Sequence, residues 1–239
     1  MMNNPNPLRQ GKELQEFLKT HFGIRCGKKT LPLFELVWRP QIYCDKKNGG
    51  NERLSFLGDS ILKSVLGEYM FEKFPYWDAN LLEDMQERIL HHARLGRMAQ
   101  RLQMEYHPSS EDEDALLLRD HINSDILKAF VGATFLTKGY PFIRRIILSQ
   151  LKQQEQTIQE IGSDNTNYKG KIIAWSQRNK SEIRFKVNKE IKYNGKILHV
   201  VSLYANNEWI SNGCDTLVKN AEQHASLNAL DTLSIHNEF

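Results

Sequence analysis

The sequence predicts a mainly α chain, an all-helical domain followed by a small α-β-β-β-α domain of the α+β class. Two observations carry this. From Leu14 to Ile158 apolar residues recur at three- and four-residue steps, the period of a helix that buries one face. After Gly162 the texture changes to a polar stretch, then to short alternating segments of the kind that form half-buried strands. The boundaries follow as residues 1–162, a linker at 163–167, and residues 168–239.

Leu14–Phe22 and Leu31–Val37 read as short helices with one apolar face. From Asn51 to Phe74 the residues Leu54, Leu57, Ile61, Leu62, Val65, Leu66, Tyr69 and Met70 make the strongest helical pattern in the chain. It ends at Phe74-Pro75, because proline drives the preceding residue out of the helical region. Leu81–Leu102 predicts one or two helices with a bend near Gly96, and the acidic run Glu111–Asp114 a solvated loop or helix cap. Ile122–Leu136 and Pro141–Ile158 are two further helices. Ser163-Asp164-Asn165-Thr166-Asn167 has no apolar face and reads as linker. A short helix, Lys169–Gln177, precedes strands at Arg184–Ile191, Leu198–Ala205 and Glu208–Asn212. Tyr193-Asn194-Gly195 and Asn206-Asn207 supply the turns, and Thr216–Leu233 is a last helix.

Composition narrows the class. With 40% hydrophobic and 26% charged residues the chain matches a globular protein rather than a disordered one. No apolar run approaches the ~18 residues that would span a bilayer, and Met1–Pro7 lacks the apolar core of a signal peptide. The expectation is an intracellular, cytoplasmic protein without a membrane partner, an organellar location being left open. Cys26, Cys44 and Cys214 form no CxxC pair and fit no zinc spacing, so separate reduced thiols are expected. Residues 165–239 hold 10 basic and 7 acidic residues, which leaves 22 of each before them. The whole net charge of +3 therefore sits in the C-terminal third, where an anionic partner would bind.

Three segments carry the functional signal. Asn51-Glu52-Arg53-Leu54-Ser55-Phe56-Leu57-Gly58-Asp59-Ser60 resembles the signature of ribonuclease III, NERLEFLGDS or NERLEFLGDA, matching the first form at nine of ten positions. Asp125-Ile126-Leu127-Lys128-Ala129-Phe130-Val131-Gly132-Ala133 resembles the D-x-x-E-A-x-x-G-A helix of the same family. Lys219-Asn220-Ala221-Glu222-Gln223-His224-Ala225 is similar to the last helix of a double-stranded-RNA-binding domain. The resemblance implies an all-helical ribonuclease III endonuclease domain followed by a dsRNA-binding-type domain, acting on structured or double-stranded RNA. It also implies a dimer, homodimeric or heterodimeric with a related nuclease, in which Phe56 lies at the contact.

The family's chemistry needs clustered carboxylates, because Mg2+ is a hard ion that takes oxygen ligands and activates water for phosphodiester hydrolysis. Positions 52, 55 and 59 share one helix face, and positions 125 and 128 share another. Here the resemblance breaks. Ser55 stands where the family has a metal-site Glu, and Lys128 where it has the essential Glu of the second helix. Asp59 and Asp125 remain, with Glu52 beside them. The formal charge of positions 55, 59, 125 and 128 is −1 instead of −4. Two readings follow, an Asp59–Lys128 salt bridge or a weak one-metal site of Asp59, Asp125 and Glu52. The cofactor is Mg2+ if there is one, and whether the chain is an enzyme stays open on sequence alone.

Other candidates are weaker. Adjacent His91 and His92 should point to different helix faces, His121 reads as a surface residue, and no HExxH, GxSxG or GxxxxGK[ST] motif occurs. In the C-terminal domain Lys169, Lys171, Gln177, Arg178 and Lys219 are the candidate RNA contacts. Against a tight grip, Ala174 replaces the family's usual Glu, Tyr193-Asn194-Gly195-Lys196 lacks the GPxH-like element, and Val218 replaces one lysine of a Lys-Lys pair. Either the domain binds RNA with reduced affinity, or it keeps the fold for protein contact through Ile173 and Val218. The reading that covers the whole chain is a ribonuclease III-like pseudoenzyme that binds structured RNA or an RNA–protein assembly, with cleavage lost or impaired. The alternatives are an active Mg2+-dependent double-strand-specific endoribonuclease in RNA processing, and a structural subunit of a ribonucleoprotein particle.

Overall fold

The computed structural model describes residues 11–40, 50–107, 112–153 and 167–233. Cys44, Pro108–Glu111, Gln154–Ile158 and most of the expected linker, 163–166, lie outside them. In chain order the elements are α1 (Gly11–Phe22), α2 (Leu31–Val37), α3 (Glu52–Lys73), α4 (Ala79–Leu90), α5 (His92–Arg101), α6 (Glu113–Leu117), α7 (Arg119–Lys138) and α8 (Tyr140–Gln153). They are followed by α9 (Tyr168–Arg178), β1 (Ile183–Tyr193), β2 (Lys196–Ala205), β3 (Glu208–Asp215) and α10 (Val218–Thr232). The chain divides into two compact units. One is built on residues 11–115 and 119–153, the other on 167–233 with Leu116–Leu118. Among the described residues no helix is long and apolar enough to cross a membrane.

In the first unit α3 and α7 touch backbone to backbone. A Cβ on Gly58 would lie 1.7 Å from the Lys128 carbonyl oxygen, and one on Gly132 would lie 2.4 Å from that of Leu54. Only glycine permits this approach, so Gly58 and Gly132 set where the two helices cross. Around the crossing, Leu62, Val65, Leu66, Tyr69 and Met70 of α3 pack with Met85, Val131, Ile143, Ile147 and Leu151 from α4, α7 and α8. Arg144 of α8 grips Glu68 of α3 with two charge-assisted hydrogen bonds of 2.8 Å. Asn51, 2% exposed, precedes α3 and donates its side-chain amide to the Val37 carbonyl at 2.8 Å, tying the helix start to the end of α2.

One expectation changes and another is resolved. The bend expected near Gly96 lies at His91, whose extended ψ of 138° separates α4 from α5. Gly96 sits inside α5, where its missing Cβ admits the Asp120 backbone at 2.9 Å. The acidic run contributes a cap, since the Asp112 carboxylate accepts the Ala115 backbone N–H at 2.9 Å at the start of α6.

The second unit is a three-stranded antiparallel sheet of order β1-β2-β3, with α9 and α10 packed on one face. Ile172, Leu203, Ala225, Ala229 and Leu230 form its core. A Cβ on Gly213 would lie 2.0 Å from the Ala221 carbonyl oxygen, so α10 lies directly on β3. Both hairpins close through two residues at positive φ, Asn194 with Gly195 and Asn206 with Asn207. Such turns match the strand twist and favour Asn and Gly. The last helix begins at Val218 rather than Thr216, because Leu217 stays extended while the Asp215 carboxylate accepts its N–H.

Substitution tests the helix crossing. Gly58→Ala should lower stability by about 3 kcal/mol or more, at or beyond the upper end of overpacking costs, since its Cβ would meet backbone that cannot swing aside. Gly27→Ala, with nothing within 4 Å of the added carbon, should change stability by less than about 0.5 kcal/mol. Urea unfolding of the two variants makes the comparison, and a neutral Gly58→Ala would mean that the helices cross more loosely.

Candidate functional site

The glycine crossing places Ser55 and Asp59 of α3 against Asp125 and Lys128 of α7. The Ser55 hydroxyl donates to Asp125 Oδ1 at 3.0 Å. The Lys128 ammonium lies 3.0 Å from Asp59 Oδ1, and Lys63, one turn further along α3, lies 2.9 Å from Asp59 Oδ2. Asp59 thus holds one ammonium on each oxygen. Burial alone would raise its pKa, but the hydrogen bond from Lys63 and the charge and hydrogen bond of Lys128 outweigh it, and the carboxyl lies below its ordinary value.

Four of the five sequence candidates therefore meet, and Glu52 does not. It is exposed in the first turn of α3, and among the described residues no hydrogen bond or ion pair joins it to the others. Lys63 was missed in the sequence, although its spacing of four from Asp59 marks a helix-face ion pair.

The donor set does not suit Mg2+, which requires near-octahedral oxygen at ~2.0–2.1 Å. A dication on Asp59 would have to share the carboxylate with two ammonium groups. Near a protein surface two unit charges ~4 Å apart repel by on the order of 4 kcal/mol, and a divalent ion doubles that against each lysine. On the other side of the crossing Ser55 offers a neutral oxygen, already donating to Asp125.

The histidines depart from expectation. Because the chain breaks at His91, the His91 and His92 rings do not point apart but lie 4.0 Å centroid to centroid. His92 in turn stacks on His121 of α7 at 3.6 Å and 17°, so His121 is a packing residue and not an isolated surface one. Of the described thiols, Cys214 is buried, and burial together with the Asp215 charge pushes its pKa up to about 12, which makes it unreactive.

The expected RNA contacts of the second unit divide. The Lys169 ammonium is committed to Glu222 at 2.6 Å and lies 4.8 Å over the Phe185 ring, so it joins α9, α10 and β1 instead of standing ready for phosphate. Gln177, Arg178 and Lys219 are exposed, and Lys171 is half-buried. The β1–β2 connection is only the tight Asn194-Gly195 turn, too short to project a recognition loop. Ile173 and Val218, the residues of the protein-contact reading, are 39% and 37% exposed.

The first unit is a helical, nuclease-type scaffold in which two glycine-crossed helices present acidic positions to one another. Residues 41–154 match the family model described as Ribonuclease-III-like. Ribonuclease 3 of Streptococcus uberis is 29% identical over 233 residues, covering 93% of this chain and 99% of that relative. Ribonuclease 3 of Zunongwangia profunda is 27% identical over 206 residues, 84% of each. Among solved structures the nuclease domain of ribonuclease III from Campylobacter jejuni superposes with a TM-score of 0.50 at 26% identity, over 58% of this chain and 96% of that one. The chain thus carries a ribonuclease-III-like domain at residues 41–154 and is similar over most of its length to proteins named ribonuclease 3.

The Asp59 pair gives a pH signature. A carboxyl with a depressed folded-state pKa contributes stability above its unfolded value of ~4 and loses it as pH falls through the folded value. Asp59→Asn should therefore destabilise the chain at neutral pH by about 1–2 kcal/mol, between the surface and buried limits for ion pairs. That difference should shrink below pH ~4. Parallel urea titrations of both proteins check it, and a pH-independent difference would rule out the ion pair as its source.

Proposed function

We propose that this chain binds structured or double-stranded RNA, or an RNA–protein assembly, on a ribonuclease III scaffold whose cleavage centre is disabled. The observation that carries the reading is the Lys128 ammonium 3.0 Å from Asp59, at the position where the family pattern has a glutamate. The likeness to ribonucleases 3 supports duplex RNA as the substrate class. The Lys128 and Ser55 substitutions account for the loss of hydrolysis, because the remaining Asp59 and Asp125 are engaged by protein donors. Within this reading residues 1–162 form the nuclease-type domain and 168–239 the dsRNA-binding-type domain. Lys171, Gln177, Arg178 and Lys219 are its phosphate-facing residues. Phe56, 78% exposed on α3, supports association through that helix, as a homodimer or with a related nuclease. The Campylobacter jejuni relative is described as having a region involved in dimer formation.

A second reading, a structural subunit of a ribonucleoprotein particle, is favoured by the second unit. There Lys169 is tied to Glu222, and the tight β1–β2 turn leaves little to grip a duplex.

Incubating the pure full-length chain with long duplex RNA in Mg2+ or Mn2+, scored for both binding and cutting, tests the main reading. Bound and uncut RNA is the expected result. Discrete, metal-dependent products that disappear with Asp59→Asn would establish the alternative, an active double-strand-specific endoribonuclease. Failure to bind duplex at all would leave the structural-subunit reading.

A further inference from the structure

We propose that the two ammonium groups gathered on Asp59 make the α3–α7 crossing a phosphate-binding surface, one that engages the backbone of duplex RNA without any divalent metal. This rests on the RNA-binding reading above and adds how the substituted centre itself contributes to it.

Lys63 and Lys128 come from different helices and reach the two oxygens of a single carboxylate at 2.9 and 3.0 Å. One carboxylate balances one ammonium, so the trio carries a net charge of +1. Asp125 lies across the crossing and accepts the Ser55 hydroxyl. Counting Asp59 and Asp125 as −1 each and Lys63 and Lys128 as +1 each, the charged groups at the crossing sum to zero. A pocket of four carboxylates repels a phosphodiester until metal ions neutralise it, whereas this one has nothing left to neutralise.

Geometry keeps the lysines usable. An ammonium has three donor hydrogens, so each lysine retains donors beyond the one given to Asp59. The Lys63 side chain is 58% exposed, at the rim, and that of Lys128 is 19% exposed, further in. Asp59 acts as a positioning residue, holding two cations that would otherwise repel each other at a fixed place beside the helix crossing. The substitution that removes a metal ligand thus installs a fixed monovalent cation in its place. The ligand is a backbone phosphate of an RNA duplex, and the contact carries no base preference.

The test measures affinity of the full-length chain for a labelled RNA duplex in EDTA and in Mg2+ at matched ionic strength. Equal affinity in the two buffers is expected. In EDTA, Lys63→Glu and Lys128→Gln should each weaken binding, and Lys128→Gln should lower the log–log salt slope by about one unit, as for one lost phosphate contact. Lys128→Glu should bind poorly in EDTA and recover when Mg2+ is added, because carboxylates then face the phosphate again. Lys63 is exposed, so its variant keeps the fold and remains informative if the Lys128 variants do not.

Wild-type binding that requires Mg2+ would overturn this proposal while leaving RNA binding intact. Unchanged affinity and slope in the folded Lys63 and Lys128 variants would overturn it as well. Displacement of the duplex by inorganic phosphate beyond the effect of equal ionic strength would replace the duplex with a free-phosphate ligand and defeat the assignment. Absence of duplex binding in both buffers would defeat the RNA-binding reading itself, and this proposal with it.

Discussion

Everything at the candidate site depends on two missing β-carbons. Gly58 and Gly132 let α3 and α7 meet backbone to backbone, with the Lys128 carbonyl where a Gly58 side chain would begin. Residues one position away from such a contact have little freedom to retreat. Ser55 and Asp59 are therefore held against Asp125 and Lys128, whatever their charges. The scaffold that places carboxylates around a metal in the family pattern places a lysine just as firmly here. That is why changing two side chains can convert the chemistry of the crossing while leaving its packing in place.

The substituted site is electrostatically satisfied. A lysine introduced among four carboxylate positions without compensation would face the cost of a half-buried charge, and a lone carboxylate would face the same. Instead Asp59 takes ammonium groups from both helices, and Ser55 donates to Asp125. Burial, which would favour a neutral Asp59, is outweighed by its lysines, so the carboxylate stays charged. The second unit shows a related economy. Lys169, placed in the first turn of its helix where a phosphate contact could form, instead pairs with Glu222 and fixes α9 to α10. Lys169 thus holds the unit together instead of facing outward.

Much of this was legible in the sequence, because the governing signals are local. The apolar spacing from Asn51 to Phe74 marked α3, and the Asn-Gly and Asn-Asn pairs marked both hairpins. The Asp59–Lys128 pairing is one of the two open readings, since both residues stand at positions that the resemblance assigns to one metal site. What escaped was mostly non-local or conformational. Nothing in the composition around His91 signals an extended ψ, so the helix break was placed at Gly96, whose lack of a side chain serves close packing instead. That break alone gathers His91 and His92, and α7 then brings His121 onto the stack. Glu222 as partner of Lys169 depends on how two helices 53 residues apart pack. Lys63 is the exception, because its i,i+4 spacing from Asp59 is readable in the sequence alone.

Whether Lys128, paired with Asp59, excludes metal is the point on which the functional reading turns, and Mn2+ reports on it directly through the paramagnetic resonance signal of the free ion. Titrated into the full-length chain, Mn2+ should keep the same signal as in a solution of the Asp125→Asn variant, showing no uptake at the crossing. Ser55→Glu combined with Lys128→Glu should lower it by creating a site. Uptake by the unsubstituted chain that Asp125→Asn abolishes would contradict the reading and return this protein to the metal-dependent nucleases.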